Sequence, residues 1–218
     1  MRTHAVVFDL DGVLVDSEGI WESARRALVE GHGLRYPPEA TRAIMGMSAP
    51  EWSRYLRDAL GVPLEARAID ADIVVRISTA YREHLPLLPG AVACVRALAA
   101  RFPLALASSS NRVLIELVLE LADLREAFAA IVSSEEVARG KPSPDVYLRA
   151  AELLGVAPAA CVAIEDSTNG IRSAHGAGMR VFALPNHDFP PTPEALALAD
   201  AAFETLSELP EALLADPG

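Results

Sequence analysis

The sequence predicts an α/β fold: a doubly wound parallel sheet carrying an inserted bundle of helices. Three observations lead there. From residue 86 onward, short apolar runs alternate with segments of helical period, the signature of parallel strands joined by crossover helices. The first apolar run, Ala5–Phe8, is separated from the others by residues 17–85, which carry helical periodicity and no strand signal. Three of the runs stop at polar clusters, as expected where both faces of a sheet are covered and ligands bind beyond the carboxyl ends of its strands.

Taken in order, Ala5–Phe8 reads as a buried strand with Asp9 at its end. Gly12 permits a sharp turn that gathers Asp9, Asp11 and the carbonyls between them round one small space. Ile20, Trp21, Ala24 and Leu28 recur at spacings of three and four, giving a helix that ends at Gly31 to Gly33. Ser48 and Glu51 make a capping box with Pro50 in the first turn, and Met47 and Trp52 are placed to staple it. The helix that follows shows Trp52, Tyr55, Leu56 and Ala59 on one face, and Ile69, Ile73 and Ile77 mark a third.

Pro86 to Gly90 forms a stiff junction, so two connections, near Asp16–Ser17 and near 85–90, would let the helical bundle hinge as a lid. The implied units are a core of residues 1–16 and 86–218 and a helical unit of residues 17–85. Within the core, Ala91 to Ala100 reads as a helix and Leu104 to Ala107 as a strand. Asn111 to Leu121 reads as a helix with Val113, Leu114, Leu117, Val118 and Leu121 facing inward. Ile131–Val132 is a short strand. Ser143 is expected to cap a helix begun by Pro144 and closed by Gly155. Cys161 to Ile164 reads as a strand, Ile171 to His175 as part of a helix, and Val181 to Leu184 as the last clear strand. Pro190 to Pro193 reads as an extended loop and Glu208 to Ala215 as a short terminal helix.

A chain of 218 residues is long enough for one sizeable core and a small second unit, and 51% hydrophobic with 22% charged residues is a soluble, globular composition. A net charge of -11, with no run of arginines, argues against a nucleic-acid partner. An anionic ligand must then be held by local positive charge or by a metal. Cys94 and Cys161 lie far apart in apolar segments, as buried thiols in a reducing compartment do. The first strand begins after four residues, leaving no room for a secretory signal, and the longest apolar stretch, 85–107, is broken by prolines and arginines. These features predict a cytoplasmic protein that engages neither nucleic acid nor membrane and acts as a monomer. Of 19 basic residues 18 are arginine, and Lys141 is the sole lysine, which points to a need for a compact ammonium there.

The polar clusters are Asp9 after the first strand, Ser108 to Asn111 after the second and Glu165 to Ser167 after the fourth, with Lys141 in the loop after the third. Equivalent ends of parallel strands share one edge, so these groups should converge. Two aspartates one residue apart repel unless they share a cation or a proton. Together the parts suit phosphoryl transfer, with Asp9 as nucleophile toward phosphorus. Mg²⁺ would neutralise the crowded charge, held by Asp9, Asp166 and the backbone carbonyl of Asp11, with Glu165 directly or through water. Ser108, Ser109, Asn111 and nearby backbone N–H groups would hold phosphate oxygens, and Lys141 would offset negative charge. Asp11 is left free to act as acid and then base.

Asp9-Leu10-Asp11-Gly12-Val13, Ser108, Gly140-Lys141-Pro142-Ser143-Pro144-Asp145 and Ile164-Glu165-Asp166-Ser167 resemble the four motifs of the haloacid dehalogenase-like (HAD) hydrolase superfamily. The likeness runs along nearly the whole chain, and the helical insertion resembles that superfamily's cap. It implies a Rossmann-like core, a Mg²⁺-dependent site under a mobile cap, Asp9 as nucleophile and Asp11 as acid/base.

Within the resemblance Asp11 discriminates among reactions. Dehalogenases and phosphonoacetaldehyde hydrolases lack this aspartate, and the latter use a cap lysine that is absent here. β-Phosphoglucomutase shares the core motifs but is understood to use a cap His and a cap Arg, positions that fall on Trp21 and Ala49 in this chain. The expectation is therefore a phosphatase of a small phosphometabolite such as a sugar phosphate. The mutase is the alternative, and a non-catalytic binder of phosphorylated ligands is disfavoured by the intact Asp9, Asp11 and Asp166. Met47, Ser48 and Trp52, beside the turn at Gly46, are the candidates for substrate contact from the cap. His32, His84, His175 and His187 have no catalytic spacing.

Overall fold

In the first strand Ala5 and Val7 point to one side and Val6 and Phe8 to the other, and this period of two sorts the interior into two apolar layers. The computed structural model describes residues 2–44, 47–186 and 189–215, with backbone only at Arg42 and Ala215. Its strands are β1 (Ala5–Phe8), β2 (Leu104–Ser108), β3 (Ala130–Ser133), β4 (Cys161–Glu165), β5 (Arg180–Ala183) and β6 (Ala201–Ala202). All pair in parallel, in the order β3-β2-β1-β4-β5-β6.

The helices are α1 (Glu18–Gly31), α2 (Pro38–Ile44), α3 (Ala49–Asp58), α4 (Ala66–Glu83), α5 (Ala91–Ala99), α6 (Arg112–Leu121), α7 (Asp145–Leu154), α8 (Thr168–Gly176), α9 (Pro193–Leu196) and α10 (Leu209–Ala215). On one face of the sheet Val6, Phe8, Leu104, Leu106, Val162 and Ile164 pack with residues of α5 and α6. The other face is paved with small side chains, among them Ala5, Ala105, Ala107 and Ala163, and packs with Val146 and Tyr147 of α7 and Ile171 and Ala174 of α8. The alanines leave room for α7 to lie close over β1, β2 and β3.

Residues 17–85 form four helices and no strand among the described residues, and α4 packs against both α1 and α3. The two connections to the core lie side by side: Asp16 N–H donates to Pro86 O at 2.9 Å, and Leu88 N–H donates to Leu14 O at 2.9 Å. No helix among the described residues is long and apolar enough to cross a membrane.

Several local expectations need correction. α2 was not expected from the sequence, since its seven residues hold too little periodicity to read, and Pro193 starts α9 inside the segment expected to be an extended loop. Val113 and Leu121 do not face inward: they are 57% and 43% exposed, and Ile115 and Leu119 take the buried face with Leu114, Leu117 and Val118. Pro144, not Ser143, holds the N-cap of α7, and the Ser143 hydroxyl instead donates to Asp145 Oδ1 at 2.6 Å. The capping box of Ser48 and Glu51 is formed. Gly46 and His187 lie outside the described residues.

Candidate active site

The order of strands reverses between β1 and β4, and at their carboxyl ends the chain places Asp9, Glu165 and Asp166. Asp9 N–H extends the pairing by donating to Ile164 O at 3.0 Å, which fixes the aspartate at the rim. One carboxylate oxygen from each of the three acids lies within 4.8 Å of the others. Lys141, a buried residue of the loop between β3 and α7, reaches across with Nζ 2.6 Å from Glu165 Oε1 and 2.9 Å from Asp9 Oδ1. The approach to Asp9 is an ion pair without the direction of a hydrogen bond, so Asp9 Oδ1 and Asp166 Oδ1 are buried with no hydrogen-bond partner.

Glu165 is saturated. Its Oε1 accepts from Lys141 and from the Tyr147 hydroxyl at 2.7 Å, and its Oε2 accepts from the N–H groups of Asp166 and Ser167 and from the Ser167 hydroxyl. It acts as an anchor for the lysine and for the start of α8. A carboxylate with both oxygens so engaged has less to offer a cation than Asp9 and Asp166 do.

Asp11 is held by four donors. Ser17 Oγ and Trp21 Nε1 donate to its Oδ1 at 2.6 and 3.3 Å, while Ser110 Oγ and Ser108 Oγ donate to Oδ2 at 2.5 and 3.5 Å. The grip draws on α1 and on the loop after β2, so the orientation of Asp11 depends on both the helical insertion and the core. Gly12 sits at φ +78°, and a Cβ there would fall 1.9 Å from Asp166 Oδ2, so both the turn and the close approach demand glycine.

Charge is badly balanced here. Burial pushes the Asp9 carboxyl up to about 7, against the pull of Lys141 and with Glu165 and Asp11 adding to the push. Burial, then Glu165 and Asp9, raise Asp166 well above the carboxylate range. For Lys141 burial works the other way, but Asp9 and Glu165 outweigh it and raise its pKa. Two orphaned carboxylate oxygens among hard donors, beside a single ammonium, fit a divalent cation of the Mg²⁺ kind.

Above these groups is a cavity of about 360 Å³ lined by Asp9, Asp11, Lys141 and Asp166 from the core and by Glu18, Trp21, Arg25, Met47 and Trp52 from the insertion. Ser109 and Ser110 also line it, and so do Asn186, Phe189 and Thr192 from the loop after β5. Ser108, fully buried, lies beneath. Four sequence candidates do not line it: Ser108 and Glu165, both fully buried, and Asn111 and Ser48. Asn111 turns its amide to Asp70 of α4, at 3.0 Å, and to Glu135, at 3.0 Å. Ser48 bonds Glu51 and abuts Gly140. Sequence reasoning missed Ser17, Tyr147 and Arg25, and it placed Ser110 only within the Ser108 to Asn111 cluster without a role. For Arg25 a signal existed, because it stands four residues after Trp21 on the apolar face of α1.

Fold and rim together define a hydrolase class, and comparison with known proteins names it. The family model described as haloacid dehalogenase-like hydrolase matches residues 3–178. Hexitol phosphatase B of Escherichia coli K12 is 34% identical over 211 residues, covering 94% of this chain and 93% of its own. Phosphorylated carbohydrates phosphatase of Thermotoga maritima is 33% identical over 184 residues, covering 83% of this chain and 85% of its own. Among solved structures, CbbY from Rhodobacter sphaeroides in complex with phosphate superposes with a TM-score of 0.85 at 30% identity, covering 95% and 96% of the two chains. The chain belongs to the haloacid dehalogenase-like hydrolase family. It is a phosphoric monoester hydrolase.

Proposed function

We propose that the protein hydrolyses a small sugar phosphate through an aspartyl-phosphate on Asp9, in a cleft between the α/β core and residues 17–85 acting as a cap. The observation that carries this is the meeting, in one cavity, of Asp9, whose buried Oδ1 is ion-paired to Lys141 but accepts no hydrogen bond, and an Asp11 carboxylate held by four donors. Curated relatives that act on hexitol phosphates and phosphorylated carbohydrates support the substrate class.

Asp9 attacks phosphorus, and the bond to the ester oxygen breaks. Asp11, two residues on, supplies a proton to the leaving alkoxide. The deprotonated Asp11 then takes a proton from water, whose oxygen attacks the phosphorus of the acyl phosphate and frees Asp9 and inorganic phosphate. Ser109 and the neighbouring N–H groups would hold phosphate oxygens, with Ser108 beneath them bonded to Asp11 and Ser110, and Lys141 balances charge beside the nucleophile. Mg²⁺, held by Asp9, Asp166 and the Asp11 carbonyl, would supply charge neutralisation and keep the nucleophile ionised. Glu165 serves by fixing Lys141. Counted along the sequence from Asp9, the cap-histidine position of the mutase falls on Trp21, whose N–H is given to Asp11, and this supports hydrolysis over isomerisation. Two buried free thiols support a cytoplasmic location.

The test is Mg²⁺-dependent phosphate release over a panel of sugar and sugar-alcohol phosphates, with Asp9→Asn alongside. Release should require both the cation and Asp9, with a loss of at least about 1,000-fold in the variant. Conversion of β-glucose 1-phosphate to glucose 6-phosphate without phosphate release would instead establish the mutase.

A further inference from the structure

The chemistry just proposed leaves Arg25 unused, yet it is the one guanidinium among the described residues lining the cavity. Its side chain is 6% exposed, and its Nε and Nη1 are buried without a hydrogen-bond partner. Trp21 and Trp52 cover it, with ring centroids 4.7 and 5.5 Å from Cζ. Stacking contents the faces of a guanidinium and leaves its N–H edge to find acceptors in plane. Glu18 Oε1 lies 3.8 Å from Nη1, and that oxygen too is buried without a hydrogen-bond partner. Burial lowers the pKa of Arg25 and raises that of Glu18, so neither charge is fully compensated by the other.

A donor and an acceptor 3.8 Å apart are too distant to bond each other. The separation matches a bridging third group, and because both atoms are closed to solvent here the side chains must part to admit it. An oxygen about 2.8 Å from each, accepting from Nη1 and donating to Oε1, must be a hydroxyl or a water. A phosphate dianion or a carboxylate offers no proton to Glu18 and would face it as a like charge. The cavity as a whole repeats this bias, with Asp9, Asp11, Asp16, Glu18 and Asp166 set against Arg25 and Lys141.

We infer that Arg25 and Glu18, framed by Trp21 and Trp52, form a subsite that binds a hydroxyl on the uncharged body of a substrate carrying one phosphate. The inference rests on the phosphatase reading and names which sugar phosphates it favours: polyhydroxylated monophosphates over bisphosphates.

The experiment compares kcat/KM for a hexitol monophosphate, a sugar bisphosphate and p-nitrophenyl phosphate in the native enzyme and in Arg25→Met and Glu18→Ala. Each substitution should lower the ratio of kcat/KM for the monophosphate to that for p-nitrophenyl phosphate by about 10- to 100-fold, mainly through KM, as loss of a hydrogen bond to a charged group predicts. An equal loss on all three substrates would overturn the inference in favour of a merely structural pair. A loss confined to the bisphosphate would overturn it in favour of an anion subsite. The chain's two tryptophans both border the subsite, so fluorescence of Asp9→Asn gives a readout independent of turnover. Hexitol monophosphate should change the emission beyond the change given by inorganic phosphate, which reaches Trp21 through Asp11, and Arg25→Met in the same background should remove that excess; equal responses to the two ligands would refute the subsite. A native enzyme inactive on every ester would sink the phosphatase reading, while this titration still decides the subsite.

Discussion

Lys141 is the residue on which the site's electrostatics turn, because its ammonium alone among the described residues touches both Asp9 and Glu165. Replacing it with methionine keeps volume and removes the charge, leaving two buried carboxylates facing each other. Breaking such a pair from one side costs about 3–5 kcal/mol. Lys141→Met should therefore lower the urea-unfolding free energy by about that amount at neutral pH as well as abolish turnover, and a loss under about 1 kcal/mol would show the lysine to be dispensable to the fold. This residue was legible in the sequence as the only lysine, and Asp9 and Asp11 as a carboxylate pair where an apolar run stops. The roles of Ser17, Ser110 and Tyr147 were not, because a hydroxyl reads the same whether it faces solvent or a carboxylate across the chain. Asn111 misled for a related reason: its place after β2 is right, but only coordinates reveal that Asp70 and Glu135 occupy its amide.

At the scale of elements, α8 begins on top of Glu165, and Gly170 makes that possible. A Cβ at Gly170 would fall 1.8 Å from Glu165 Oε1. Helix propensity alone predicts that alanine there would stabilise by about 1 kcal/mol. The packing predicts the reverse, since the carboxylate that anchors Lys141 and Tyr147 would have to move. Gly170→Ala should lower the melting temperature and activity together, and a gain in stability would show that Glu165 does not sit over the helix start. Elements were legible where they are long or apolar: β1, β2 and β4 read directly, as did α1, α3 and α4 from spacings of three and four. The two-residue β6 and the seven-residue α2 are too short for a period to declare itself, and tertiary contact decides them. On α6 seven of ten residues are apolar, so periodicity left the buried face poorly defined, and the exposed Val113 and Leu121 were expected to face inward.

For the whole molecule the consequence is a stability that depends on pH and cation together. Burial raises Asp9 from 3.8 to about 7, so between those values the folded chain keeps a proton that the unfolded chain has released. Stability contributed by that proton is present in acid and declines as pH rises through the interval, and Asp166, also raised, acts in the same direction. Lys141 is raised from an already basic value, so its contribution stays constant over this range. A divalent cation competes with protons for the same oxygens and binds the folded state, so it should restore at high pH what deprotonation removes. The metal-free protein should melt at a lower temperature at pH 8 than at pH 5.5, and millimolar Mg²⁺ should raise the melting temperature by several degrees at pH 8 and by clearly less at pH 5.5. Asp9→Asn separates this from the general repulsion of a chain of net charge -11, because it changes that charge by one while removing the titrating group. In the variant both the fall with pH and the response to Mg²⁺ should shrink. An unchanged Mg²⁺ response in Asp9→Asn, or one equal at both pH values, would place the cation's effect elsewhere on the surface and detach it from the rim of β1 and β4.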